Sequence, residues 1–146
     1  MGIFDKLFSS TSPAPTYTPK SEQEAWIAIM YACMEADGYV SEPEVKKMFE
    51  LVAKEQPLFK NIHIADYYQP AMLTHKKVGG KVLIDNSADM VAPHNKAALF
   101  KAIMALLLAD GILTDTEKEI ATYLTTALPV ELVEAKRIVD DILVSN

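Results

Sequence analysis

The chain carries the same acidic turn twice, each time directly after a strongly apolar segment. It reads ADGYVSEPE at Ala36–Glu44 and ADGILTDTE at Ala109–Glu117. The first preceding segment, Ala25–Met34, is apolar on every side of a helix, and the second, Lys96–Asp110, carries one charge in its interior, Lys101. Helices that are apolar all round are buried in the core. The sequence therefore predicts two buried helices, expected to form the central pair, each ending at a similar sharp joint.

Glycine and a pair of capping residues make each joint recognisable. Gly38 and Gly111 stand where the apolar helices end, and glycine adopts the left-handed conformation that closes a helix without a steric penalty. A Ser or Thr follows, and then a Glu at the spacing of a capping box. In that motif a hydroxyl and a carboxylate satisfy free N–H groups at the start of the next helix. The capping residues are Ser41 with Glu44 and Thr114 with Glu117.

Turn-forming residues divide the remaining sequence into further helices. Ser21 and Glu24 match another capping box, Gly79 separates two modest helices within residues 58–91, and Pro129 closes the penultimate helix. No run alternates between polar and apolar residues as a half-buried strand would. We therefore expect an all-α bundle of six or seven helices with an internal pseudo-repeat. The predicted helices are Glu22–Asp37, one starting near Glu42, Ile64–Lys76, Lys81–Met90, Lys96–Asp110, one from Thr114 to about Leu128, and Glu131–Val144.

The first 20 residues have the composition of a tail. Residues Ser9–Lys20, SSTSPAPTYTPK, are rich in Ser, Thr and Pro, which is typical of a linker. We expect residues 1–20 to be a flexible N-terminal tail and residues 21–146 to form one helical domain. Apolar side chains within residues 1–8 fall at helical spacing, but so short a helix is marginal alone. A frayed or back-packed terminus is therefore favoured over a tip that contacts a membrane surface or a partner.

Composition narrows the partners and the compartment. The net charge is −6 and no run of Lys or Arg occurs, so we expect no binding to nucleic acid, whose phosphates attract basic surfaces. An acidic chain is better suited to cations or to basic patches on other proteins. A single cysteine, Cys33, excludes an internal disulfide and fits a reducing compartment. The longest apolar run, Ala102–Ala109, is well short of the roughly 20 residues that cross a bilayer. We expect a cytoplasmic protein.

The acidic joints match the second half of a calcium-binding EF-hand loop but not the first half. Asp37 fits the fifth position of that loop, Gly38 the sixth, and Glu44 the bidentate last position. The first position would be Cys33, or Leu106 in the second copy, and neither side chain offers the hard oxygen that calcium prefers. The joints are therefore not EF-hands.

Two interpretations of the acidic residues remain. In the first, the Glu residues complete capping boxes, the other acids favour the positive end of a helix dipole, and nothing is bound. The caps alone favour this interpretation. In the second, the carboxylates converge on a divalent cation with water in the remaining positions, and the two joints share the ion if they lie close together. The candidate ligands are Asp37, Glu42, Glu44, Asp110, Asp115 and Glu117.

The duplicated pattern resembles the TerB-like family of tellurite-resistance proteins and their relatives. The shared features are an apolar helix ending in Ala-Asp-Gly, a Ser or Thr, and a Glu that opens the next helix. The resemblance covers about Ser21–Leu128, and the opening MGIFDKLF is also similar to that group. It implies a bundle of about seven helices with internal pseudo-symmetry, a place in bacterial tellurite-resistance and stress-response systems, and metal binding by acidic residues. When the family's motif is aligned with this sequence, its acidic residues fall on the six candidate ligands named above.

No set of residues resembles a nucleophile with its base, so we expect no enzymatic activity. His63, His75 and His94 are far apart in sequence and fit no zinc spacing. The leading hypothesis is a non-catalytic TerB-like protein that binds a divalent cation, partner proteins or both. The alternative is a metal-free helical adaptor that uses an exposed apolar groove or the N-terminal tip. A metal-assisted hydrolase comes third.

Overall fold

A computed structural model describes residues 17–38, 40–55, 58–109 and 113–145 of the 146-residue chain. Within these ranges every regular element is helical, which confirms the all-α prediction. The α-helices are α1 (Glu22–Met34), α2 (Glu42–Ala53), α3 (Ala65–Val78), α4 (Gly80–Ala88), α5 (Lys96–Leu107), α6 (Asp115–Ala127) and α7 (Leu132–Ser145). Each predicted helix is present, with ends that differ by a few residues. Residues 1–16, which include the predicted amphipathic tip and most of the tail, lie outside the described residues.

Helix α1 lies at the centre of the fold. All ten residues of Ala25–Met34 are buried, as the apolar sequence predicts. The helix packs most extensively on α3 and α4, and Trp26 contacts Phe59 edge-to-face at 5.7 Å between ring centroids. Its contact with α5 is smaller, because α5 packs mainly on α7 and α2. The two apolar helices are thus both buried and in contact with each other, and each also has its own set of further neighbours.

The two halves of the pseudo-repeat pack across each other. Helix α2, which follows the first joint, contacts α5 of the second unit. Helix α6, which follows the second joint, contacts the 3₁₀ segment Glu35–Asp37 that extends α1. Each unit therefore places its second helix against the first helix of the other unit, or against the extension of that helix.

The carboxylate of Glu22 links the starts of α1 and α5 by hydrogen bonds. Glu22 accepts hydrogen bonds from Trp26 Nε1 at 3.2 Å and from Asn95 Nδ2 at 2.7 Å. Asn95 precedes α5 directly, so the bond fixes the beginning of the second unit to the beginning of the first. This long-range pair has no counterpart in the repeat pattern of the sequence.

The predicted capping box at the start of α1 is only half formed. Ser21 Oγ accepts from the Glu24 N–H at 3.2 Å, as predicted. The Glu24 carboxylate instead accepts from the Lys20 N–H and from the Tyr17 hydroxyl. Burial, together with Glu24, raises the pKa of Tyr17, so this phenol remains a donor at ordinary pH. Tyr17 also donates its N–H to Asn86 Oδ1, which anchors the chain before α1 to α4.

One polar group in the core lacks a partner. Ser87, on α4, is fully buried, and its Oγ has no hydrogen-bond partner among the described residues. An unsatisfied buried hydroxyl costs on the order of 1–3 kcal/mol. Ser87→Ala should therefore raise the free energy of unfolding by about 1 kcal/mol, because alanine removes the hydroxyl and also favours the helix.

Urea unfolding followed by Trp26 fluorescence measures this change. Thr126→Ala is the matched control, since it introduces alanine at an exposed position of α6 and should gain only a few tenths of a kcal/mol. A Ser87→Ala midpoint at or below that of the unsubstituted protein would contradict the prediction.

Candidate functional site

The first joint has the glycine geometry that the sequence predicts. After α1 the chain continues as a 3₁₀ turn over Glu35–Asp37 and ends at Gly38, whose φ is 96° and left-handed. A Cβ at Gly38 would meet no atom within 4 Å, so backbone conformation, not space, selects glycine here. Gly111, its counterpart, lies outside the described residues.

Both predicted capping boxes are present at the joints. At the first, Ser41 Oγ accepts from the Glu44 N–H at 3.3 Å, and Glu44 Oε1 accepts from the Ser41 N–H at 3.1 Å. At the second, Thr114 Oγ1 accepts from the Glu117 N–H at 3.1 Å, and Glu117 Oε1 accepts from the Thr114 N–H at 3.0 Å. The same reciprocal geometry thus opens α2 and α6.

The caps leave one oxygen of each Glu available. Glu44 uses Oε1 for the Ser41 N–H and hydroxyl, and Glu117 uses Oε1 for the Thr114 N–H. Over the described ranges, Oε2 of both residues makes no hydrogen bond or ion pair. A carboxylate can therefore serve its cap and still present an oxygen to a ligand outside the helix.

The remaining candidate ligands lie at the helix starts. Glu42 and Asp115 are the first residues of α2 and α6, and both are exposed. The Asp115 carboxylate is 4.0 Å from Lys118 Nζ, a solvent-exposed pair of little energetic weight. Asp110 and the side chain of Asp37 lie outside the described part of the chain. Among the side chains that are described, no three His, Cys, Asp or Glu residues are grouped to hold a metal ion.

An aromatic cluster supports the first joint. The Tyr31 and Tyr68 rings meet edge-to-face at 5.4 Å between centroids, and Phe49 meets Tyr68 at 6.1 Å. Burial raises the pKa of Tyr68, and the charges of Glu35 and Glu44 raise it further. Tyr68 therefore lies near two carboxylates of this joint, one before the glycine and one after it.

The structure also forms a polar cavity that the sequence did not indicate. It has a volume of about 360 Å³ and lies where the end of α1, the junction of α3 with α4, and α6 meet. Its acidic and basic lining residues are Glu35, His75, Lys81 and Glu119. They come from four separate elements and share no spacing in sequence, so only the tertiary packing brings them together.

A second, apolar groove runs between α6 and α7, with its floor on α5. Its volume is about 490 Å³, and Phe100, Met104 and Ala121 are among its lining residues. Thr122 and Thr125 also line it, but their hydroxyls donate to backbone carbonyls of α6 at 2.9 and 2.7 Å. Because these hydroxyls are satisfied internally, the surface offered to a partner is almost entirely apolar.

Cys33 is buried in α1, and burial raises the pKa of its thiol. It therefore packs as a neutral, small apolar side chain, as the sequence predicts.

Comparison of the chain with family models, with curated proteins and with solved structures finds no match in any of the three. Over the ranges that the structure describes, no helix combines the length and the apolar character needed to cross a membrane.

The capping boxes generate a quantitative prediction. Ser41→Ala and Thr114→Ala should each lower the free energy of unfolding by about 1 kcal/mol, because each removes the acceptor for an N–H group in the first helical turn. The two losses should be similar, since the two boxes have the same geometry. Thermal and urea unfolding measure them, with Thr126→Ala on the exposed face of α6 as the control. A loss at one joint only would contradict the equivalence of the joints.

Proposed function

We propose that this chain is a TerB-like helical protein of the tellurite-resistance and stress-response type that acts by binding and not by catalysis. The proposal is supported by the two joints. Each closes a buried helix and opens the next through the same capping box, within two units that pack across each other. This repeated geometry is the structural feature that best fits the resemblance seen in the sequence.

The proposed ligand of the joints is a divalent cation. Each joint offers a carboxylate oxygen left over from its cap, on Glu44 or Glu117, and an exposed acid one helical position after the cap, Glu42 or Asp115. Carboxylate oxygens are the ligands that hard cations such as Ca²⁺ and Mg²⁺ prefer, and water completes their coordination. The first-turn N–H groups stay capped by Ser or Thr, so a cation can bind without melting the start of the helix.

A titration tests this proposal. Metal-free protein is titrated with Ca²⁺, Mg²⁺, Mn²⁺ and Zn²⁺ in a calorimeter, and we expect saturable binding of at least one ion. The double variant Asp37→Asn with Asp110→Asn should abolish most of that heat, because it removes the acid that precedes each glycine. Glu50→Gln, at an exposed position of α2, is the matched charge control. No binding, or binding unchanged in the double variant, would reduce the acids to helix caps.

A second candidate function, a metal-free interaction module, is favoured by the groove between α6 and α7. The groove offers an apolar surface at its α7 end, where Leu132 is 76% exposed. Exposed apolar surface of this kind marks protein interaction sites. Lys118 and Lys136 also line the groove. Each already faces an acid of its own helix, Asp115 at 4.0 Å and Asp140 at 2.9 Å, in exposed ion pairs of little energetic weight.

The occupant that fits this groove is an amphipathic helix of a partner protein with acidic residues flanking its apolar face. The apolar face would bury against Phe100, Met104 and Ala121, and the acidic flanks would meet Lys118 and Lys136. This preference opposes the net charge of −6, which by itself would repel an acidic peptide. The two lysines at the groove therefore predict a preference for an acidic peptide, whereas the net charge of the whole chain predicts a preference for a basic one.

Two designed peptides distinguish these outcomes. Both place Leu at helical spacing on one face, and one carries Glu and the other Lys at the flanking positions. We expect the Glu peptide to bind about tenfold more tightly, as measured by fluorescence anisotropy. Lys118→Glu with Lys136→Glu should reverse the preference.

The control for this experiment is Lys76→Glu with Lys77→Glu, which changes the same net charge at exposed positions of α3. Tighter binding of the Lys peptide to the unsubstituted protein, or the same response in both double variants, would exclude the groove as an acidic-helix site.

A further inference from the structure

The polar cavity at the end of α1 holds opposite charges that do not neutralise each other. Glu35 and Glu119 supply carboxylates, and Lys81 and His75 supply nitrogen groups. The ion pairs among the described residues join Lys118 to Asp115 in α6 and residues of α7 to one another, and none of them involves these four residues. No ion pair therefore joins an acid and a base that line this cavity of about 360 Å³.

Neighbouring side chains hold three of the four groups in place. Tyr31 donates its hydroxyl to Glu35 Oε2 at 3.0 Å and packs edge-to-face on His75, with 5.5 Å between ring centroids. Lys81 Nζ lies 5.5 Å from the centre of the Tyr123 ring. The Tyr123 hydroxyl in turn donates to Asp85, a bond that raises the pKa of Tyr123 to about 12 and keeps its proton in place. These contacts hold Glu35, His75 and Lys81 in place, and none of them is an ion pair.

The basic residues that line the cavity, Lys81 and His75, suit the binding of a carboxylate. Helix α4 begins at Gly80, and no side chain of the described residues caps its first N–H groups. Free N–H groups at a helix start attract anions, and here Lys81 and His75 stand beside them. Glu119 also lines the cavity and makes no hydrogen bond or ion pair to any described residue, so its carboxylate is available to a cation.

The geometry points to this cavity as a binding site for a small zwitterion, a molecule that carries an amine and a carboxylate. The amine would pair with Glu35 and Glu119, and the carboxylate with Lys81, His75 and the start of α4. A volume near the lower end of the 300–1,000 Å³ usual for ligand pockets favours a compact molecule. This inference is independent of the proposed function, because it uses neither the capping Glu residues nor the apolar groove.

Gly80 provides a variant that narrows the cavity without charge change. A Cβ there would lie 3.5 Å from His75 Nε2 and 3.9 Å from the Ala32 Cβ, which is ordinary van der Waals contact. Gly80→Ala should therefore fold normally while it places a methyl group between two walls of the site. Glu119→Gln is the complementary variant, because it removes one acid at an exposed position.

The experiment follows backbone amide NMR shifts of the full chain in excess EDTA, so that no divalent cation contributes. The probes are glycine, β-alanine and γ-aminobutyrate, and propionate and propylammonium are the singly charged controls. We expect saturable shifts at Gly80, Lys81 and Ile120 with at least one zwitterion, and about tenfold weaker binding of the singly charged probes. Gly80→Ala and Glu119→Gln should each lower the affinity for the zwitterion by a similar factor, and neither should change the unfolding temperature.

Glu50→Gln serves again as the charge control and should bind like the unsubstituted protein. The inference is overturned by non-saturable shifts, by equal binding of zwitterionic and singly charged probes, or by full binding in both cavity variants. Because EDTA is present and the groove is not involved, failure here leaves the cation and peptide experiments unaffected.

Discussion

Ten consecutive residues of α1 are shielded from water, and a helix without a polar face exists only with neighbours on every side. This requirement organises the fold. Helices α3 and α4 take the largest share of the α1 surface, α5 takes a smaller one, and α6 covers the 3₁₀ extension at its end. The length of the buried segment also fixes where the chain must turn. A polar residue can first reach solvent at the joint, and there the chain changes direction at Gly38.

The joints follow from this burial by local chemistry. Each helix leaves terminal backbone groups without a partner inside the helix, and at each joint one helix ends and the next begins within a few residues. The capping boxes do this with one hydroxyl and one carboxylate oxygen each. Because only Oε1 is used, a cap and a ligand site are compatible at the same Glu. The structural and the cation-binding interpretations of these acids are therefore not mutually exclusive, and stability and binding have to be measured separately.

Local features of this kind could be predicted from sequence, whereas the sites formed by packing could not. The helices, Gly38 and both capping boxes depend on residues within a few positions of one another, and the structure confirms them. The Glu22–Asn95 bond and the cavity of Glu35, His75, Lys81 and Glu119 join residues distant in sequence. The neighbours of α1 could not be predicted for the same reason. Apolarity shows that a helix is buried but does not identify its neighbours, and here α3 and α4 surround α1 although neither is strongly apolar.

Helix α6 connects the two sites that packing creates. Thr116, Glu119 and Tyr123 line the polar cavity, and Lys118, Ala121 and Thr125 line the apolar groove. At 3.6 residues per turn these two sets project from opposite sides of the helix. The capping box at Thr114 fixes the start of α6, while its contact with the 3₁₀ extension holds it against the first unit. A ligand in the cavity can change affinity at the groove only by binding more tightly to one position of α6 than to another. The two candidate binding surfaces thus lie on one helix, although they share no residue.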